Sequence, residues 1–357
     1  MTSVRSADAP AIFPLDHIDR FCREVLAACG ASASTCEAAT RAMMHGTRYG
    51  VDSHGVRLLN HYVTALEGGR VNKTPNLSYA RQFGAIATLD ADHAHGALAA
   101  YTAMEKAAEL STMFGIGAVA IRNSSHFGAA GAYALEAARQ GLIGFATCNS
   151  DSFVRLHDGA MRFHGTNPLS FGVPVAGEDP WLLDMATSSI PYNRVMLYRS
   201  LGIPLPSAVA SDARGIDTCD PDEADMLAPL GGAFGFKGAA LAGVAEILSA
   251  VLSGMRLSFD IAPMPGPDFA TPRQMGAFVL AINPEAFVER DVFEAGMGRY
   301  RTVLRQSAAR EGASIMAPGD REWTVARERE RDGVPVDPET LAAFERLSVR
   351  YGVDLPS

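Results

Sequence analysis

Asp52-Ser53-His54-Gly55-Val56-Arg57 places a hydroxyl, an imidazole and a guanidinium within a few residues of one another. An imidazole changes charge near neutral pH, and a guanidinium grips a carboxylate through two parallel hydrogen bonds. Together they suit proton transfer on a small acid. Asn123-Ser-Ser-His126-Phe-Gly128 sets a second histidine directly after an apolar run, and loops in that position often carry function. His164-Gly165-Thr166-Asn167-Pro168 is a tight turn with side-chain donors and bare backbone, able to hold an anion. Gly235-Phe-Lys237-Gly238 puts a lysine at the mouth of an apolar helix, where the cation and the helix N-terminus both favour phosphate. Each stretch alone reads equally well as an ordinary turn. Their combination is harder to assign to turns.

The His54 stretch lies between a helix ending at Tyr49-Gly50 and the next apolar pattern. If that helix begins at Ser53, Ser53 is its N-cap and His54 and Arg57 share one side of the first turn. Val56, Leu59, Val63 and Leu66, widened by Leu58 and Tyr62, form its buried stripe. Earlier, residues 1–12 read as a frayed tail and Leu15 to Cys29 as an amphipathic helix, and Ser34-Thr-Cys-Glu37 as a capping box opening a helix to about Tyr49. Residues 1–70 are therefore expected to be helical, without a strand. Beyond them, strands are expected at 85–89, 118–122, 143–148, 170–175, 181–184 and 276–283. Helices are expected at 96–114, 131–140, 193–200, 236–255 and 288–310, the fourth of these the best buried. Residues 202–225, dense in Pro, Gly and Asp, read as loop. Asp337-Pro338 opens a final helix with Leu341, Phe344 and Leu347 inward. This is an α/β or α+β chain with a helical N-terminal layer.

At 357 residues, 48% apolar and 20% charged, the composition is that of an ordinary globular chain. A net charge of −9 without a basic run argues against nucleic acid or an anionic membrane surface as partner. Cys22, Cys29, Cys36, Cys148 and Cys219 are odd in number and contain no C-x-x-C pair, and the first three, seven apart in the first two helices, read as reduced, packed thiols. The N-terminus lacks a basic region followed by an apolar run, and Glu246 interrupts the most apolar helix. A cytoplasmic protein is expected. Gly115-Ile-Gly-Ala-Val-Ala120 mimics a dinucleotide fingerprint, but a helix precedes it and a strand follows, the reverse of what phosphate binding needs. Asp90-Ala-Asp-His-Ala-His95 looks like a ligand cluster, yet it falls at a strand–helix turn, so no metal is expected. Hydrolase and NTPase motifs find no match.

Taken in order, Asp-Ser-His54-Gly-Val, Asn-Ser-Ser-His126-Phe-Gly, His-Gly-Thr-Asn-Pro168, Asp184-Met185-Ala186-Thr-Ser188, Asp220-Pro221, Phe-Lys237-Gly and Pro318-Gly-Asp320 resemble the malate/L-lactate dehydrogenase family of the second type. These are nicotinamide-dependent oxidoreductases without a Rossmann domain. The resemblance implies a helical domain over residues 1–75, joined by the C-terminal segment 320–357. It implies a cofactor and substrate region over 76–319, built on a mixed, largely antiparallel sheet. It further implies a homodimer, NADH or NADPH as cofactor, and a small 2-oxo acid, or a cyclic 2-imino acid, as substrate. On this resemblance His54 would be the proton donor and His126 would line the same pocket. Ser53, Arg57, Tyr192 and Arg194 would face the substrate. Ser150, Asp151, His164, Gly165, Thr166, Asn167, Pro168, Asp184, Met185, Ala186, Lys237, Gly238, Gly319, Asp320 and Arg321 would line the cofactor site. Two departures stand out. Leu58 occupies the place of the family's usual arginine, leaving the carboxylate clamp to a displaced Arg57 or to another residue. Asn193-Arg194 stands where a Gly-Lys pair is common.

Overall fold

The computed structural model describes residues 11–357. Strand β1 (Ala11–Phe13) leads into helices α1 (Leu15–Ala28), α2 (Ala33–Arg48) and α3 (Leu59–Gly68). The sheet region follows with β2 (Ser78–Phe83), β3 (Ile86–Asp90), α4 (Gly96–Phe114), β4 (Ile116–Ser124), α5 (Gly131–Arg139) and β5 (Ile143–Cys148). Short strands β6 (Val154–Arg155) and β7 (Arg162–His164) precede β8 (Leu169–Val173) and β9 (Trp181–Met185). Then come α6 (Tyr192–Leu201), β10 (Ala210–Ser211), β11 (Met226–Leu227), α7 (Phe236–Glu246), β12 (Met275–Ile282) and α8 (Arg290–Arg305). The chain finishes with α9 (Asp320–Asp332), β13 (Val334–Val336) and α10 (Pro338–Tyr351).

The main sheet has seven strands in the order β2-β3-β4-β12-β5-β8-β9. Only β3 and β4 pair in parallel, joined through α4; every other neighbour is antiparallel. This is the mixed, largely antiparallel sheet expected. Alanine-rich α4 and α5 lie directly on it because glycines in the strands remove the side chains that would hold them off. A Cβ on Gly117 would come within 2.1 Å of the Ala107 carbonyl oxygen, and one on Gly144 within 2.5 Å of that of Ala134. Thus Gly115 and Gly117 close a helix and start a strand beneath it, and the fingerprint-like run holds no phosphate turn. A second, four-stranded sheet has the order β10-β11-β6-β7.

The helical layer has its own core, with Ile18, Phe21, Val25, Leu26, Met43, Leu59, Val63 and Leu66 buried against Val334, Val336, Phe344 and Leu347 from the far end of the chain. The Asp337 carboxylate accepts from the backbone N–H groups of Glu339 and Thr340, as the N-cap reading required. Cys22, Cys29, Cys36 and Cys148 are buried free thiols.

Several local expectations are corrected. Of the tail, residues 1–10 lie outside the described residues, while Ala11–Phe13 pair antiparallel with Val334–Val336, so the helical layer does carry a strand. Helix α2 is capped by Ser32, whose side chain accepts from Thr35 N; Glu37 of the supposed capping box instead pairs with Arg23. Strand β2, exposed along its whole length, carried no burial pattern to reveal it. Helix α8 is shorter at both ends than 288–310. The helix from Phe236 is not the best buried: Leu241, Val244, Ile247, Val251 and Leu252 are 40–61% exposed, and its last turn, Ile247–Val251, is a π-helix. Among the described residues no helix is long and apolar enough to cross a membrane.

Gly117→Ala is expected to lower the denaturation midpoint, because overpacking against the Ala107 carbonyl costs about 1–3 kcal/mol. Gly296→Ala, in the open face of α8, should raise stability by about 0.5–1 kcal/mol. Urea titrations of both variants check the pair.

Candidate active site

The stretch around His54 is not the start of an α-helix. Asp52–His54 and Val56–Leu58 are single 3-10 turns separated by extended Gly55, and α-helix begins only at Leu59. Close approach to α2 imposes this: a Cβ on Gly46 would meet the His54 carbonyl oxygen at 2.6 Å, and one on Gly55 the Thr47 hydroxyl at 2.6 Å. Val56 N donates to that hydroxyl at 2.9 Å. From α9, Arg329 holds the Asp52 carboxylate with both terminal nitrogens at 2.6 and 2.9 Å.

Two expectations fall with the helix. Ser53 caps nothing; its Oγ lies 2.9 Å from His54 Nδ1 and so orients the imidazole. Arg57 does not share a helical face with His54, since helical spacing does not apply across Gly55. Its guanidinium is 45% exposed and lies against Glu339 and Asp337 at the start of α10.

His54 and His126 are brought together. Their rings stack with centroids 5.6 Å apart and planes inclined by 20°. His126 Nδ1 is 2.9 Å from the hydroxyl of Tyr62, whose ring meets His95 edge-on at 4.2 Å. His95 caps α4, accepting from Ala97 N through Nδ1. His61 lies beside Tyr62. Sequence reasoning placed Tyr62 in a buried stripe and missed that its polar end orients a site histidine.

Burial sets the charge of this cluster. Desolvation lowers His54 to a pKa of about 4, and His61 likewise to about 4 with help from Arg273 and Arg70. His126 is pushed well below the ordinary imidazole value, first by burial and then by His54 and its neighbours. The stacked pair is therefore neutral at pH 7. A neutral imidazole is a base; an anion entering the same low-dielectric pocket would favour its protonated form.

Much of the proposed cofactor lining gathers around a carboxylate that sequence reasoning noticed only as an interruption. Glu246, 7% exposed at the end of α7, accepts from Asn149 Nδ2 (3.2 Å), Asn167 Nδ2 (2.8 Å), Ser258 N (2.6 Å) and Ser258 Oγ (2.6 Å). It thereby fixes the loop after β5 and the His164–Pro168 turn against one another. Ser150 Oγ accepts from Thr166 N at 3.3 Å, and a Cβ on Gly165 would sit 2.2 Å from that oxygen. The Thr187 hydroxyl donates to the carbonyls of Thr166 and Asn167, bringing in the segment after Asp184-Met185-Ala186. Pro168 O accepts from the Thr147 hydroxyl at 2.7 Å. A lone carboxylate in an apolar helix is the sequence signal from which this centre could have been found.

Asp184, next to last in β9, lies beside the first turn of α5, where burial raises it to about 7 against the backbone N–H of Gly131. Asp151 is buried and committed to Arg273 and to Met264 N. Other residues stand apart. Tyr192 and Arg194 are exposed on α6, Tyr192 packing on Phe153. Lys237 is exposed over the ring of Phe234, while Gly238 packs tightly under Leu230. Gly319 packs beside Leu182, Asp320 pairs with Arg305, and Arg321 pairs with Glu322. Among the described residues no His, Cys, Asp and Glu group has metal-binding geometry; Asp90 binds Arg122 and Asn123 instead.

Comparison with known proteins defines the class. The chain is an NAD(P)-dependent dehydrogenase acting on CH–OH groups. It belongs to the malate/L-lactate dehydrogenase family, whose profile matches residues 13–345. It is 32% identical over 348 residues to a malate dehydrogenase of Pyrococcus abyssi, covering 95% of each chain. It is 31% identical over 331 residues to a (2R)-3-sulfolactate dehydrogenase (NADP(+)) of Chromohalobacter salexigens, covering 92% of each. The crystal structure of malate dehydrogenase from Entamoeba histolytica superposes with a TM-score of 0.91 at 28% identity, covering 98% of this chain and 100% of that one.

The buried neutral histidines also set acid stability. His45 and His95 (both to about 3), His54 and His61 (both to about 4) and His126 are all lowered by burial, so between pH 6.5 and 4 the unfolded chain binds protons that the folded chain does not. Stability is then lost as pH falls through that window, with the raised Asp184 acting in the opposite sense. Thermal midpoints at pH 7.5, 6 and 5 should fall steadily, and a flat profile would show that these rings are not held neutral.

Proposed function

We propose that this dehydrogenase interconverts a small 2-oxo acid and its 2-hydroxy acid, with His54 moving the proton. The observation that carries this reading is the neutral His54–His126 stack, oriented by Ser53 and Tyr62. Family membership and relatives named for malate and sulfolactate support the acid substrate. The protein's residues fit a dinucleotide on their own chemistry. Asn149 Oδ1, Asn167 Oδ1 and His164 Nδ1 are buried without hydrogen-bond partners among the described residues, beside the glycine cradle at Gly165. Ser150, Thr166, Pro168 and Asp184–Ala186 complete this lining. NADH or NADPH, when bound there, supplies or accepts the hydride at C2.

In the oxidation direction neutral His54 takes the proton of the 2-hydroxyl as hydride leaves C2. In reduction the same nitrogen, protonated, returns it to the forming alkoxide. Ser53 and Tyr62 fix the ring planes.

The free-protein charge state makes the two directions differ with pH. Oxidation kcat/KM should hold steady through neutral pH and fall only on an acid limb near His54's own pKa of about 4. Reduction kcat/KM should rise about tenfold for each unit of falling pH through the neutral range, because the protonated form is the minor one. His54→Ala should cost about 100- to 10,000-fold in turnover with reduced nicotinamide across a panel of 2-oxo acids and cyclic 2-imino acids. Activity within a few-fold of wild type would remove His54 from the mechanism, and turnover confined to the imines would reassign the substrate.

A homodimer fits the apolar face left open along α7 and its π-turn, where Leu241, Val244, Ile247, Val251 and Leu252 are exposed. Sedimentation should show a dimer for the wild-type protein, and Val244→Glu with Ile247→Glu should shift it towards monomer.

A further inference from the structure

The site needs a cation for the substrate carboxylate, and the arginine placed closest in sequence is occupied: Arg57 serves Glu339 and Asp337. A different arginine reaches the same end of the sheet. Strand β12 runs antiparallel to both β4 and β5, with Met275 opposite Ser124 and Ala277 opposite Cys148. Stepping back from Met275 to Arg273 therefore matches stepping forward from Ser124 to His126 on one side. On the other side the same register, continued past Cys148, reaches Ser152, the residue after Asp151. Register alone sets Arg273 between the His126 loop and the Asp151 loop.

Its surroundings are built. The side chain is 2% exposed. Nε donates to Ala262 O at 2.8 Å, and Nη2 pairs with Asp151 Oδ1. Asp151 Oδ2 in turn accepts from Met264 N at 3.1 Å, so one carboxylate fixes both the guanidinium and the loop before it. Nη1 has no partner among the described residues. A guanidinium carries five donors in a planar fork, and leaving its outer nitrogen bare in a buried place is costly unless a ligand supplies the acceptor. Neighbouring Arg70 is no rival, since its terminal nitrogens are spent on the carbonyls of Pro263, Met264 and Asp268. The charge of Arg273 reaches the site, acting on His61 and His126.

We propose that Arg273, held by Asp151, is the residue that binds the carboxylate of the substrate through Nη1, beside the His54–His126 pair. This rests on the reading of the site as one that takes a 2-oxo acid. Asp151 neutralises one edge of the fork and leaves Nη1 on the other edge without a partner, so Asp151 acts as a positioning residue.

The test compares an acid with its neutral ester. For Arg273→Met, KM for the best 2-oxo acid should rise on the order of 100-fold, as expected for loss of a charge-assisted pair. The methyl ester of the same acid should be reduced at an unchanged kcat/KM by wild type and variant. Arg273→Lys, keeping charge without the fork, should recover part of the acid's kcat/KM. Equal losses on acid and ester would mean Arg273 is only a strut and would overturn the proposal, as would an unaltered KM for the acid. Should the wild-type protein reduce no 2-oxo acid, the reductase reading fails by itself, and Arg273 is then read by thermal shift with oxamate. Stabilisation of wild type but not of Arg273→Met would still support the carboxylate site, and equal stabilisation of both would overturn it.

Discussion

The close approach of helix backbone to sheet governs this molecule. Gly117 and Gly144 give α4 and α5 their seats on the strands, and Gly276 does the same for the π-turn after α7, where a Cβ would fall 1.8 Å from Ser249 O. The strands under α4 and α5 carry small residues where the helices sit, and their large rings, Phe145, Phe171 and Phe278, gather on the opposite face. The sheet's chemistry is displaced to the strand ends, where the loops after β4 and β5 and the loop before β12 meet. The histidine loop, the asparagine loop and Arg273 share one end of the sheet because β12 runs antiparallel between its neighbours.

These loops gather groups whose charge is suppressed by burial. The imidazoles are neutral because they are desolvated, and the polar groups around Glu246 are partnered except for acceptors that face no donor. Such a site spends stability on its readiness: unpaired buried groups cost about 1–3 kcal/mol each. The surrounding core, with its close-packed alanines and buried aromatic rings, offsets that cost.

Much of this was legible in the sequence. The alternation of strands and helices, the Asp337 cap and the ordered motifs around His54, His126 and His164 led to the right sheet and the right family. What was not legible depended on contacts distant in the chain. The Ser53 cap and the Arg57 clamp assumed an α-helix that Gly46 and Thr47 do not permit. Arg273 and Asp151 are 122 residues apart, and nothing local marks them as partners. Burial of the helix after Phe236 was overstated because apolar composition does not say whether the cover comes from the same chain.

The helical layer joins the two ends of the described chain. Strand β13 pairs with β1, and Phe344 rests on Phe21 with ring centroids 4.9 Å apart. During synthesis the first helices therefore emerge long before the residues that cover them. Until α10 leaves the ribosome, Ile18, Phe21 and Val25 face an open groove, and the Asp52 carboxylate waits for Arg329. The segment that presents His54 acquires its shape only when almost the whole polypeptide is available, so a nascent chain would carry the helices and strands before it carried the turns that hold this histidine.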